Sequence, residues 1–173
     1  MQTLRTVRLT LEPQMATHAG EMFAVLSDPA IYEFENEPPA SLEWLSERFS
    51  RLESRASGDG SERWLNWVVR PHGGGLIGYV QASVPANGLA FIAYELASAY
   101  WGQGYGREAV SAMLVELAAR YDVRQAGAVF KQQNHRSRKL LARLNFMTPS
   151  SADREHYRPD ADEDLLVLPL GPE

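Results

Sequence analysis

Residues 94–110 read YELASAYWGQGYGREAV: an apolar run, glycines at the alternate positions Gly102, Gly104 and Gly106, then a segment without proline. The pattern predicts a strand, a tight turn and a helix. Glycine lacks a Cβ, so such a turn can bring several backbone N–H groups to one point, and the first turn of the following helix adds partial positive charge. The stretch has the makings of an anion site. Phosphate or pyrophosphate is its natural guest.

Upstream of this stretch, residues 64–69 and 76–83 flank PHGGG and predict two antiparallel strands, and residues 89–97 follow the turn Pro85-Ala-Asn-Gly88 as a third. Downstream, residues 106–121 place Ala109, Val110, Met113, Leu114, Leu117 and Ala118 on one helical face. The strand at 124–130 then runs parallel to the one before the helix, because a strand–helix–strand crossover favours that arrangement. A further helix starts at Asn134, with Leu140, Leu141 and Leu144 inward and its basic residues outward.

At the N-terminal end, residues 3–11 alternate with period two and predict one strand burying Leu4, Val7, Leu9 and Leu11. Residues 16–27 carry Ala19, Met22, Phe23 and Leu26 at helical spacing, and Ser41 caps a helix running to about residue 56 with Leu42, Leu45, Phe49 and Leu52 on one side. Residues 147–164 are poor in pattern, with a short strand expected near His156, and LLVLPL at 165–170 supplies a closing strand. The fold class is α/β (α+β): one domain over residues 1–173, a mixed central sheet of about six to seven strands, and helices on both faces.

The 173 residues are enough to bury a sizeable core without metals or disulfides. Cysteine is absent, which excludes disulfides, thiolate nucleophiles and Cys-based zinc sites, and no metal is expected. The N-terminus lacks the apolar run of a signal peptide and nothing is long enough to span a bilayer, so a cytoplasmic protein without a membrane partner is expected. A net charge of -5 argues against a nucleic-acid surface. The charge is unevenly spread: residues 28–62 hold nine acids against three arginines, whereas residues 130–146 hold Lys131, Arg136, Arg138, Lys139 and Arg143 and no acid. One region suits a cation and the other an anion, unless both are solvated helix faces.

Context separates the readings of the glycine turn. A dinucleotide fold requires Gly-x-Gly-x-x-Gly after the first strand, whereas here the third glycine comes one residue early and the turn follows several antiparallel strands. A P-loop requires Gly-Lys-Ser/Thr, which is absent. The segment YELASAYWGQGYGREAV, followed by a strand and then NHRSRKLLARLNF, resembles the GNAT acyltransferase superfamily. The likeness is strongest to the branch of ribosomal-protein N-terminal alanine acetyltransferases. It covers residues 62–146 well, extends to the N-terminal strand and two helices, and thins after Phe146.

The resemblance implies splayed strands at an acetyl-CoA site and no metal. It implies that Leu96 and Ala97 offer backbone groups to the pantetheine arm. Gln103, Gly104, Tyr105, Gly106 and Arg107, with Trp101 and Gly102, would surround the pyrophosphate, while Asn134 and Ser137 approach the pantetheine and thiol end. Trp101 replaces the Gln or Arg usual in the superfamily, and Asn145 replaces a glycine before Phe146, asparagine being the next residue most tolerant of a left-handed helix end. Asn134 also reads as a simple helix N-cap.

The implied reaction is acetyl transfer to an amine partner, a protein N-terminus or a small molecule, in a ternary complex; a non-catalytic acyl-CoA-binding module is the alternative. A lysine amine is neutral in about one molecule in 2,500 at pH 7, an α-amine in roughly one in seven, so α-amines need only a weak base. Glu95 is the first candidate for it, with Ala93 and Ala97 leaving room on its own face; a glutamate merely paired with a cation is the plainer reading. The loop residues Tyr32, Phe34 and Glu35 are substrate-site candidates, with Glu33 and Glu37 as further carboxylates. The oxyanion falls to the Leu96 N–H. Where much of the superfamily has a tyrosine acid this chain has Leu141, which leaves Ser137 as the catalytic substitute. The oligomeric state expected is monomer or homodimer.

Overall fold

The computed structural model describes residues 1–34 and 36–170. Seven strands form a single sheet in chain order: β1 (Leu4–Arg5), β2 (Leu9–Pro13), β3 (Glu62–Pro71), β4 (Gly78–Pro85), β5 (Leu89–Leu96), β6 (Gln125–Lys131) and β7 (Glu163–Pro169). Every neighbouring pair is antiparallel except β5 and β6. That pair is joined by the crossover helix α3 (Tyr105–Arg120), as a parallel connection requires. The remaining helices are α1 (Ala19–Val25), α2 (Leu42–Leu52), α4 (His135–Arg143) and α5 (Ser151–Tyr157).

Alternation along the strands divides the core between two faces. On one, Ala90, Ile92 and Leu96 of β5 pack with Ala109, Val110, Met113 and Leu117 of α3 and Leu141 of α4. On the other, Val68 and Leu76 meet Ala19, Met22, Leu45 and Phe49 of α1 and α2, while Phe91 and Val129 meet Tyr157 of α5. Helices cover both faces of a mixed seven-stranded sheet. No helix among the described residues is long and apolar enough to cross a membrane.

Four local expectations are corrected. The run 3–11 is two strands, with Leu4 paired to Leu11 around a turn that leaves Val7 90% exposed. The turn is held from a distance: the Glu108 carboxylate accepts from the Thr6 hydroxyl at 2.6 Å and the Arg8 N–H at 2.8 Å. Helix α2 stops at Leu52, because Arg55 turns left-handed (φ 59°) and its guanidinium donates to the Gln14 carbonyl; Leu42, expected inward, is exposed. On α3, Ala118 is exposed and Glu116 is buried instead, accepting from the Gln2 amide at 3.0 Å. The segment around His156 is helix α5, started by a reciprocal cap between Ser150 and Asp153.

One feature of the sheet positions the site. β5 and β6 pair only from Leu89↔Gln125 to Phe91↔Gly127, although the strands continue to Leu96 and Lys131. Beyond that point β5 stays with β4 and β6 stays with β7. The sheet opens there as a V.

Candidate active site

The V opens into a cleft of about 360 Å3. The end of β5 forms one wall. Ala97 donates its N–H to the Ile77 carbonyl at 2.9 Å, so antiparallel alternation turns the backbone groups of Leu96 the other way, toward the gap that β6 has left. The Leu96 carbonyl accepts the Trp101 indole N–H at 2.7 Å, while its N–H is directed into the opening. Gly78 on β4 makes this geometry possible: a Cβ there would lie 2.0 Å from the Glu95 carbonyl oxygen and 2.8 Å from Leu96 Cα.

The glycine turn forms the second wall. Gly102 and Gly104 have φ of 73° and 85°, the left-handed region that favours glycine. Gly104 is the N-cap of α3, has no side chain to cap it, and its carbonyl accepts the Glu108 N–H at 3.1 Å. The N–H groups of Tyr105, Gly106 and Arg107 therefore have no acceptor within the helix. At Gly106 a Cβ would lie 2.8 Å from Leu140 Cδ1, so glycine also lets α4 approach. Arg8 braces the turn from outside, donating to Glu108 at 2.7 Å and the Gln103 carbonyl at 3.0 Å, with its guanidinium 4.4 Å from the Tyr105 ring centroid.

Helix α4 closes the third side. Asn134 accepts the Ser137 N–H at 3.0 Å, so its side-chain oxygen does cap the helix. Ser137 Oγ lies 2.7 Å from the Tyr94 hydroxyl. Burial pushes the Tyr94 phenol up to about 12; the hydrogen bond to Ser137 pulls the other way and the charge of Glu95 adds to the rise. Leu141 is fully buried in the core, so α4 brings no phenol to the cleft and β5 supplies one instead. Arg107, Lys139 and Arg143 line the same cleft and make it cationic.

Residues 8–147 match the acetyltransferase (GNAT) domain family. The chain belongs to this family. It is 26% identical over 148 residues to the uncharacterized N-acetyltransferase p20 of Bacillus licheniformis, covering 84% of this chain and 83% of that protein. The fold is shared with RimL, a ribosomal L7/L12 alpha-N-protein acetyltransferase solved in complex with coenzyme A, at TM-score 0.80, 16% identity, and 96% and 97% of the two chains. RimJ of Mycobacterium smegmatis, solved with a CoA-disulfide, aligns at TM-score 0.77 and 21% identity over 96% of this chain and 85% of that one.

Within this GNAT acetyltransferase, the expected site residues divide. Glu95, Leu96, Trp101, Gly102, Gly104, Gly106, Arg107, Asn134 and Ser137 converge on the cleft. The backbone groups of Ala97 and the side chains of Gln103 and Tyr105 are engaged elsewhere, while the Tyr105 N–H stays at the start of α3. Ala97 has its N–H on Ile77 and its carbonyl on Tyr100, Gln103 donates its amide to the Ala99 carbonyl at 2.8 Å, and Tyr105 packs under Arg8. Tyr94, Lys139 and Arg143 join the cleft without having been expected there; the signal for Tyr94 is the parity that places it with Ile92 and Leu96 on the α3 and α4 face, and that for the two cations is the acid-free run 130–146.

The connection between α1 and α2 straps the rim. Arg136 of α4 donates to Glu33 at 2.7 Å and lies 5.3 Å from the Phe34 ring centroid and 4.1 Å from that of Trp101. Glu33 and Phe34 thus engage a cation of the protein's own. Asp28 anchors the connection, accepting the Ser98 N–H at 2.7 Å, and its carboxyl is held below the ordinary range first by the Ser98 side chain and then by that backbone N–H. Tyr32 donates to the Leu26 carbonyl at 2.7 Å and is pushed up to about 12 by burial and then by the charge of Glu95. Glu35 lies outside the described residues.

Proposed function

We propose that the protein binds acetyl-CoA in the V between β5 and β6 and transfers the acetyl group to a primary amine, with peptide or protein N-termini as the acceptor class. The carrying observation is the uncapped N-terminus of α3, open to a cleft lined by Arg107, Lys139 and Arg143. Three N–H groups at a helix dipole, with cations beside them, fit a pyrophosphate. The splayed edge of β5 then offers the Leu96 N–H to a thioester oxygen.

In this reading Glu95 accepts the proton of the attacking amine as the C–N bond forms, directly or through one water. The oxyanion of the tetrahedral intermediate sits on the Leu96 N–H. As the C–S bond breaks, the Tyr94–Ser137 pair meets the departing sulfur. A thiol titrates near about 8.5, and Tyr94 is pushed up to about 12. Full transfer of the proton from a phenol raised by burial to an ordinary thiolate is then uphill. The pair therefore hydrogen-bonds the thiolate and leaves its protonation to solvent, and Ser137 is a donor to sulfur rather than a true acid.

The α-amine is favoured over lysine because one half-buried carboxylate is a weak base, adequate for an amine titrating near about 7.8 and poor for one near about 10.4. RimL, which shares this fold, is an alpha-N-protein acetyltransferase, which supports that choice. The test is acetyl-CoA titration followed by thiol release with N-terminal peptides, free lysine, polyamines and aminoglycosides. Turnover on α-amine peptides supports the reading; binding without turnover on every amine makes the protein an acyl-CoA-binding module.

A further inference from the structure

The sheet face that carries Glu95 continues into a second cleft of about 410 Å3, walled by Arg48 and Arg51 of α2 and by Trp64, Asn66, Gln81 and Ser83 of β3 and β4. Register fixes its distance from Glu95. Tyr79 stands opposite Glu95, Gln81 stands opposite both Ala93 and Asn66, and Ser83 stands opposite Trp64. Paired residues share a face, so the second cleft lies two to four residues along β4 from the Glu95 row, about 7–14 Å at the rise of a strand. Ala93, between them on β5, is exposed, so the floor connecting the two is open.

The chemistry of this cleft is that of an anion site. Neither Arg48 nor Arg51 forms an ion pair with a described residue. Asn66 is 4% exposed, and its amide nitrogen has no hydrogen-bond partner among the described residues. Gln81 and Ser83 add an amide and a hydroxyl. Glu62, at the outer end, is engaged by the Trp64 indole at 3.3 Å. Two guanidinium groups over neutral donors match a carboxylate, which accepts in two directions at once.

We propose that this cleft is a subsite for a carboxylate of the acceptor, so that the preferred substrates are peptide N-termini with Asp or Glu two to four residues beyond the reacting one. An extended chain advances about 3.3–3.6 Å per residue, which spans the distance with that many residues. The proposal rests on the acceptor reading of Glu95 given above, and it adds the acceptor's charge and the position of that charge.

The test uses the full-length protein, acetyl-CoA and three hexapeptides identical except for Glu, Gln or Lys at position four. The expected result is a KM about tenfold lower for the Glu peptide than for the Gln peptide, with the Lys peptide weakest. In the Arg48→Ala/Arg51→Ala variant, both of whose altered side chains are exposed, the Glu-to-Gln ratio falls to about one. Equal KM values for Glu and Gln peptides, or a preference that survives in the variant, overturn the subsite while turnover of the Gln peptide keeps the acetyltransferase reading intact. Competition by inorganic phosphate without any preference among peptides assigns the cleft to a free anion and overturns the proposal as well. Absence of turnover on all three peptides overturns the acceptor reading and the subsite together.

Discussion

Replacing Tyr94 with phenylalanine tests the chemistry of the cleft at its least expected point. The substitution removes one hydroxyl, which lies 2.7 Å from Ser137 Oγ, and leaves the ring packed against the core formed with α3. Ser137 is only half-buried, so water can replace the lost partner in the resting protein. The stability loss is therefore about 1 kcal/mol, or about 2–4 °C in Tm for a chain of this size. The kinetic loss is larger if the pair stabilises a departing thiolate, because a hydrogen bond to a charged group contributes about 1.5–3 kcal/mol. That corresponds to a fall of about 10- to 150-fold in kcat. Acetyl-CoA affinity, measured by titration, changes little, because the α3 N-terminus and its cations are untouched. If Tyr94 acts through Ser137, then Tyr94→Phe, Ser137→Ala and the double variant lose similar amounts, within about 0.5 kcal/mol. Losses that multiply in the double variant, or an unchanged kcat in Tyr94→Phe, refute the relay.

Gly78→Ala drives a Cβ to 2.0 Å from the Glu95 carbonyl oxygen, so β4 and β5 must separate by about 1 Å; kcat falls about 100-fold and Tm falls with it, both read on the same sample. Glu95→Gln lowers kcat/KM for an α-amine peptide at pH 7 more than at pH 9, because the amine deprotonates unaided as pH passes about 8; equal losses at both remove Glu95 as the base. Arg8→Ala frees the Gln103 carbonyl and Glu108, and weakens acetyl-CoA binding several-fold in the titration with little change in kcat. Alkaline unfolding is expected between pH 10 and 12: Tyr32, Tyr94 and Tyr157 are each raised from 10.0 to about 12 by burial first. Their raised values contribute stability fully present below pH 10 and lost as pH climbs toward 12; denaturant midpoints at pH 9 and about 11.5 measure it, and the Tyr94→Phe variant loses less.

The parts legible in the sequence were those in which local pattern and tertiary demand agree. The meander, the crossover helix and the two cleft-facing motifs follow from apolar periodicity and from glycines such as Gly104, whose φ of 85° disfavours any residue with a side chain. What escaped was set by distant contacts. The turn at Thr6–Arg8 has no glycine and is held by Glu108, roughly a hundred residues away, so its alternation reads as one strand. Ser150 and Asp153 carry a capping signature that predicts α5, yet the polar run around them masked it. Tyr94 escaped for another reason: parity places it on the α3 and α4 face, but its contact with Ser137 depends on how α4 docks against β5. Gly78 sits unremarked by any local pattern inside the strand at 76–83, because the approach of the β5 backbone that requires it is a tertiary contact.

In the proposed reaction the V between β5 and β6 binds acetyl-CoA through the α3 N-terminus and the Glu95 face presents an α-amine to it. Its most direct test is steady-state thiol release from acetyl-CoA with one peptide carrying a free N-terminus and no lysine, beside the same peptide N-terminally blocked and bearing one lysine. The predicted result is saturable turnover of the first, strongly lowered by Glu95→Gln at pH 7, with the second at least tenfold slower. Equal rates on both peptides, or tight acetyl-CoA binding with no thiol released from either, contradict it.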